Sequence, residues 1–408
     1  MSGRWRVRVA IALVALAVSA LIAGAPPRFA GAAPTPRRPL TTRSAPRAAT
    51  APSPTPPPAR YRDASEPYAF NFPRDHASHP EFRTEWWYYT GELSSGKRAF
   101  GFELTFFRVG IDRARESSRS AWAPHTLILA HAALTDETHR TFHYDELIER
   151  PALGLAGADT ARYRVWAGDW SVGLGADGRT HLLRAAAKDF GLRLDLVPRK
   201  APVLHGKNGV SRKGSGAGEA SHYASITRLA ARGAITVDGD TLPVSGEAWM
   251  DHEFSSSVLA PNQQGWDWFA LRLADGRDLM LYSLRLAGGG IEPQSSGTLV
   301  AADGTTTHLT RDEFEIAALR QWKSPRSGAT YPQGWRVRVP RHGIDLVIEP
   351  TVADQELVTR STGGVTYWEG SVRVSGAEAR VSGAETRAGV SGRGYVELTG
   401  YTGPPPGR

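Results

Sequence analysis

From Tyr68 onward the chain repeats one pattern. A short run of alternating apolar or aromatic and polar side chains ends in a glycine-bearing turn, such as Asp238-Gly239, Asp275-Gly276 or Asp303-Gly304. A period of two sends alternate side chains to opposite faces of an extended strand, and Asp-Gly supplies the left-handed backbone of a tight hairpin. Such runs fall at 85–89, 100–107, 126–133, 163–166, 171–174, 181–187 and 192–196. Others fall at 222–228, 233–237, 246–250, 267–273, 278–285, 297–299, 335–339, 344–349, 366–374 and 395–398. No long stretch carries the period of about 3.6 residues that marks an amphipathic helix. The best helical candidate is 311–319, where Asp312 and Glu313 suit a first turn. So many short strands with so few helices predict an all-β chain of barrels or sandwiches, and 408 residues suffice for two.

The first 62 residues stand apart. They hold ten arginines and no acid. Arg4, Arg6 and Arg8 precede an apolar run from Val9 to Ala25, and Ala30-Gly31-Ala32 offers a small-residue cleavage site. This reads as a signal peptide over 1–32, hence an exported protein. Residues 33–62 are rich in Pro, Thr, Ala and Arg and read as an extended tether, whose arginines could rest on an anionic envelope surface. The formal charge of +8 therefore belongs to this segment. Removing its ten arginines from the 49 basic residues leaves 39 against 41 acids. Nucleic acid is not an expected partner, because counterion release needs basic side chains clustered on the folded part. The absence of cysteine excludes disulfides, thiolate metal sites and a cysteine nucleophile.

The densest chemistry lies at Glu247-Ala248-Trp249-Met250-Asp251-His252-Glu253-Phe254, followed by Trp266-Asp267-Trp268. On a strand, Glu247, Trp249, Asp251 and Glu253 share one face, and Met250, His252 and Phe254 the other. Buried carboxyls beside indoles must pair with cations, bind a metal or hold a proton; the last makes a general acid. Asp251, His252 and Glu253 are adjacent and cannot converge on one ion from a regular strand. Neither a metal nor a cofactor is expected. An earlier cluster, Glu85-Trp86-Trp87-Tyr88-Tyr89, puts Trp86 and Tyr88 on one face and Trp87 and Tyr89 on the other. Glu103 lies mid-strand among phenylalanines and needs a partner, for which Arg108 and His131 are candidates. A barrel of about eight strands can hold one small ligand, so part of this aromatic set could line a cavity. The glycine-rich stretch 206–218 reads as a mobile loop. Its Lys207, Arg212 and Lys213 lack the spacing and following helix of a phosphate cradle. The near-duplicated heptapeptides in 374–387 read as a lengthened loop or hairpin.

Six segments in order carry a resemblance: Glu-Trp-Trp-Tyr-Tyr-Thr-Gly (85–91), Phe-Gly-Phe-Glu-Leu-Thr-Phe-Phe-Arg (100–108), Ala-Trp-Met-Asp-His-Glu (248–253), Gly-Trp-Asp-Trp-Phe (265–269), Tyr-Trp-Glu-Gly (367–370) and Gly-Tyr-Val-Glu-Leu-Thr-Gly-Tyr (394–401). From Tyr68 to Tyr401 the chain resembles the lipocalin-like family of AttH-type proteins and carotenoid 1,2-hydratases. The resemblance implies two consecutive lipocalin-like β-barrel domains, over 63–258 and 259–408, and a hydrophobic small-molecule ligand. It further implies carboxyl acid–base chemistry on an isoprenoid- or polyketide-like compound, by hydration or hydrolysis, with a non-catalytic carrier or an envelope attachment protein as alternatives. In the hydratase chemistry an acid protonates an isoprenoid double bond, aromatic faces stabilise the cation and water adds. Asp251, His252, Glu253 and Asp267 are the catalytic candidates. Trp86, Trp87, Tyr88, Glu103, Tyr223, Trp249, Trp266 and Trp268 are the candidate ligand contacts.

Overall fold

The computed structural model describes residues 61–111, 125–255, 257, 259–378 and 389–402. The expected leader and nearly all of the tether lie outside them, as do the whole of the second heptapeptide and the end of the first. Among the described residues twenty-three strands follow in chain order. They are β1 (Thr84–Ser95), β2 (Arg98–Gly110), β3 (Thr126–Asp136), β4 (Thr141–Glu149), β5 (Ala156–Ala158), β6 (Arg164–Ala167), β7 (Trp170–Leu174) and β8 (His181–Ala186). Next come β9 (Phe190–Pro198), β10 (Val203–Leu204), β11 (Val210–Arg212), β12 (Ala220–Val237), β13 (Asp240–Ser255), β14 (Gln263–Leu273), β15 (Asp278–Leu286) and β16 (Gly297–Val300). The last are β17 (Thr306–Leu309), β18 (Glu315–Lys323), β19 (Thr330–Val339), β20 (Ile344–Pro350), β21 (Glu356–Val358), β22 (Thr366–Glu378) and β23 (Val390–Leu398). Among the described residues no helix is long and apolar enough to cross a membrane.

All pairing is antiparallel, and the strands form two sheets. The first runs β4-β3-β2-β1-β13-β12-β9-β8-β7-β6-β5, with β10 and β11 pairing to β12. Its ends approach each other, β3 and β4 against β5 and β6, so the sheet curls into a nearly closed barrel. The second runs β17-β16-β15-β14-β23-β22-β20-β19-β18, with β21 on β22. The chain leaves the first sheet at Ser255 and enters the second at Gln263. Asp238 (φ 55°) and Gly239 (φ 84°) turn β12 into β13 in the left-handed region that a two-residue hairpin requires. These are two lipocalin-like barrels in tandem.

Each barrel is filled by its own apolar side chains. Trp87, Tyr89, Phe102, Leu104, Phe106, Trp170, Leu194, Ile235 and Met250 belong to the first core. Phe269, Leu281, Trp335, Ile348, Trp368 and Val396 belong to the second. The outer faces carry a third cluster, which joins Tyr88, Tyr223 and Trp249 to Trp268, Met280, Tyr282, Leu284 and Tyr395. The two barrels therefore meet along an aromatic seam. Gly101 marks a close approach: a Cβ there would lie 2.5 Å from Cβ of Ser371 on the facing sheet.

The helix expected over 311–319 is one 3-10 turn, Arg311–Glu313, which then enters β18. Its start signal is real, because Thr310 and Glu313 form a reciprocal capping box. Phe314 then turns extended (φ −138°, ψ 155°), since pairing with β19 satisfies the backbone that a longer helix would have served. The stretch 206–218 is also more ordered than expected: β11 pairs with the start of β12, and Lys213 N–H bonds the Glu219 carbonyl.

Candidate active site in the seam between the barrels

The site grows out of the β1–β13 pair. Antiparallel register sets Tyr88 opposite Asp251 and Trp86 opposite Glu253. The next strands extend these into rows. Thr105, Tyr88, Asp251 and Ser225 lie side by side, as do Phe107, Trp86, Glu253 and Tyr223. On the facing sheet, Glu369, Glu397, Trp268 and Tyr282 make a third row. Period-two alternation aims these rows into the seam, while Trp87, Tyr89, Met250 and His252 point back towards the first barrel.

The rows line a mostly apolar cavity whose mouth opens to solvent. Trp86, Tyr88, Phe107, Leu129, Trp266, Trp268 and Tyr367 form much of its wall. Its polar lining includes Lys213, Tyr223, Asp251, Glu253, His131 and Glu397. The expectation of a ligand space inside a barrel is thus displaced outward. Each interior holds its own apolar core, and the aromatic cavity lies between the two barrels.

Asp251 is the most constrained group in this cavity. Its Oδ1 accepts from Trp249 Nε1 (2.6 Å) and from the Ser225 hydroxyl, and its Oδ2 accepts from Tyr223 Oη (2.7 Å). Burial raises this carboxyl to about 7 despite those donors, and the neighbouring Glu253 charge adds to the rise. With Oδ1 accepting twice, the proton of the acid form belongs on Oδ2, the oxygen with a single donor. His205 supports the arrangement from behind, 2.6 Å from Ser225 Oγ through Nε2 and 2.8 Å from Thr298 Oγ1 through Nδ1. Because Ser225 spends its one proton on Asp251, His205 must donate through Nε2. Burial lowers this imidazole to about 3, so it is neutral.

Other carboxyls share the seam. Glu253 accepts from the Ser221 hydroxyl and pairs with Lys213 Nζ at 2.9 Å. Glu397, on the opposite sheet, accepts from Trp266 Nε1 at 2.9 Å. Burial, reinforced by Asp251 and Glu253, lifts Glu397 to about 7 as well. Glu369 accepts from the Tyr88 hydroxyl and Glu103 from the Thr105 hydroxyl; each leaves its Oε2 without a hydrogen bond. Burial raises both well above the ordinary glutamate range, and Glu397 pushes each further. The partner expected for Glu103, Arg108 or His131, is therefore replaced by a hydroxyl. Arg108 is spent on Glu85, and His131 bonds Tyr367 Oη and Thr362 Oγ1.

These features coincide with a family signature: the AttH-like family model matches residues 63–401. The chain belongs to the AttH-like family. A Nitrosomonas europaea crystal structure assigned to AttH superposes with a TM-score of 0.72 at 37% identity, covering 82% of this chain and 98% of that one. Kievitone hydratase from Nectria haematococca shares the fold at a TM-score of 0.62 and 14% identity, covering 84% and 96% of the two chains. No curated protein matches the sequence.

In this AttH-like protein the sequence-derived residues divide into two sets. The seam brings together Trp86, Tyr88, Tyr223, Asp251, Glu253, Trp266 and Trp268 on the cavity wall. Trp249 stands one layer behind with its indole on Asp251, and Glu103 lies beside Glu369. Three residues go elsewhere. Asp267 pairs with Arg285 Nε (3.0 Å) and accepts from Tyr401 Oη (2.9 Å), on the opposite face of β14 from Trp266 and Trp268. Trp87 fills the first core and donates Nε1 to the His76 carbonyl at 2.8 Å.

His252 lies on the core face of β13, 2.9 Å from Glu85 through Nε2. His79, Glu85 and His252 are the one group among the described residues whose ligand atoms converge as a metal site requires. Their own contacts already use those atoms. Glu85 Oε1 holds His79 Nδ1 (2.8 Å) and His252 Nε2, while Oε2 holds Ser78 Oγ (2.8 Å) and Arg108 Nε (3.0 Å). Bonds from both imidazoles and the Arg108 charge outweigh burial and keep Glu85 well below its usual range. The arrangement is that of a buried ion-pair hub. Lys213 and Glu397, both central to the cavity, had no sequence signal beyond a glycine-rich loop and a place inside a recurring segment.

Proposed function

We propose that this protein is an exported, cofactor-independent hydratase that adds water to a carbon–carbon double bond of a hydrophobic, isoprenoid- or polyketide-like small molecule bound in the seam. The observation that carries this reading is Asp251: a carboxyl lifted to about 7, in hydrogen-bond order, on the wall of an aromatic cavity. A general acid works best when its pKa lies near the working pH, and an apolar wall produces that shift. Asp251 Oδ2 gives its proton to one alkene carbon, leaving a cation on the other. The faces of Trp266, Trp268 and Tyr88 stabilise that cation. Water attacks it, and its surplus proton passes to ionised Glu397 on the opposite wall. The product carries one new C–H and one new C–O bond; Glu397 then releases its proton to solvent and Asp251 takes one up, so no net proton is consumed. A hydratase sharing the fold agrees with this chemistry. The arginine-led apolar N-terminus supports export.

The test is incubation of the purified protein with a panel of acyclic isoprenoids and prenylated phenols in oxygen-18 water. Products bearing one labelled hydroxyl are expected from the native protein and none from Asp251→Asn. Unchanged label incorporation by Asp251→Asn would refute the assignment.

A further inference from the structure

The hydration chemistry needs only a carboxyl and aromatic walls, yet the cavity also contains a buried cation. Lys213 follows β11, and the ordered turn after it directs the side chain inward. Its side chain is only 12% exposed. Nζ lies 2.9 Å from Glu253 Oε1, 4.4 Å from the centre of the Tyr282 ring and 5.2 Å from that of Tyr223. The Glu253 carboxylate outweighs burial and holds the ammonium in its charged form. An ammonium has three donors, and Glu253 takes one of them. A hydrocarbon pressed against this wall would strip water from the remaining N–H groups and return nothing.

We propose that Lys213 is a specificity-determining ligand contact, and that the cavity takes an amphipathic molecule bearing a neutral oxygen acceptor, such as a ketone, rather than a pure hydrocarbon. The inference deepens the hydratase reading by naming its substrate class, and rests on the same cavity. Charge balance selects a neutral oxygen. Lys213 and Glu253 already cancel, and a ligand carboxylate would add a negative charge facing Glu253 and Glu397. Geometry sets the spacing. Asp251 and Glu253 are alternate residues on one strand face, about 6–7 Å apart by strand rise. An oxygen held at Lys213 therefore lies a few carbons from the double bond that Asp251 protonates.

The experiment is ligand titration by quenching of tryptophan fluorescence, with three probes of one skeleton. They are geranylacetone, the hydrocarbon in which its carbonyl is replaced by methylene, and the corresponding acid. The native protein should bind geranylacetone about tenfold or more tightly than the hydrocarbon, the usual scale of one hydrogen bond to a charged donor. Lys213→Met should erase that preference and bind the hydrocarbon at least as well. The neutral pair Lys213→Met/Glu253→Gln should behave alike, which guards against misfolding caused by a lone buried Glu253. Equal native affinity for ketone and hydrocarbon, tightest binding of the acid, or a preference that survives both variants would overturn the proposal. Binding of none of the probes would overturn it as well. These measurements need no turnover, so the oxygen-18 result with Asp251→Asn stands or falls separately.

Discussion

Asp251→Asn probes the proton directly, because asparagine copies the protonated acid. Its Oδ1 can accept from Trp249 and Ser225, and its Nδ2 stands where the acid carries its proton. The native carboxyl is raised from 3.8 to about 7 by burial. A group whose folded pKa is raised contributes stability in its protonated form, and that contribution is lost as pH climbs from the unfolded to the folded value. Between about pH 5 and about pH 7 the native protein should lose about 1.4 kcal/mol per pH unit through this group, and nothing more above that. Asparagine does not titrate. The stability of Asp251→Asn relative to the native protein should therefore rise by about 2–3 kcal/mol from about pH 5 to about pH 8. Glu397 titrates in both proteins; the variant lacks the Asp251 charge that helps raise it, so what does not cancel adds to the difference in the same direction. The melting-temperature difference should grow by about 3–4 °C over the same range. The assay is thermal unfolding of both proteins in matched buffers across that range. A difference that stays flat with pH would show that Asp251 is ionised throughout, and the general acid would be lost from the mechanism.

Further outcomes follow from other parts of the site. Hydration should peak near neutral pH, falling above it as Asp251 loses its proton and below it as Glu397 gains one; a monotonic pH–rate profile would contradict that division of labour. Asp267→Asn should leave turnover and ligand affinity unchanged but lower stability by about 1–3 kcal/mol, because Arg285 loses its buried acceptor; unfolding and oxygen-18 assays on one sample separate the two effects. Glu85→Gln should cost about 3–5 kcal/mol by uncovering Arg108, whereas zinc or a chelator should leave the melting temperature of the native protein unchanged. A zinc-dependent rise would reveal a metal centre at His79, Glu85 and His252. Gly101→Ala forces a Cβ to within 2.5 Å of Ser371 and should loosen the seam, weakening ligand binding more than it weakens either barrel core. Equal loss in both readouts would assign Gly101 to folding alone.

The barrels were legible because strand alternation is a local property. Trp86 and Tyr88 against Trp87 and Tyr89, and Asp251 against His252, divide between seam and core as their spacing requires. Asp267 was misread against the same rule. Lying between Trp266 and Trp268, it had to point away from them, and it pairs with Arg285 on the far side. What stayed hidden was tertiary. Nothing local says that the outer faces of two barrels meet, so Glu397 had no visible relation to Asp251, nor Glu369 to Tyr88. Lys213 was obscured because glycine-rich composition signals backbone freedom. Here the glycines allow a turn that pairs with β12 and delivers a charged side chain inward. The turn at Arg311 shows the reverse: a sound local start signal was outweighed by pairing with β19.

The alternation along β1 and β13 also bears on how such a protein can change. Every second letter of these strands answers to the barrel that must fold, and the letters between answer to the molecule that must fit. Replacing Trp86, Tyr88 or Glu253 reshapes the pocket while Trp87, Tyr89 and His252 keep their packing. A lineage can thus try new ligands without jeopardising its scaffold. Insertions are the exception: one extra residue in either strand would exchange the two vocabularies, turning carboxyls towards the core and core aromatics towards the ligand. Diversification by substitution should be easy at this seam, and diversification by changes in strand length should be rare.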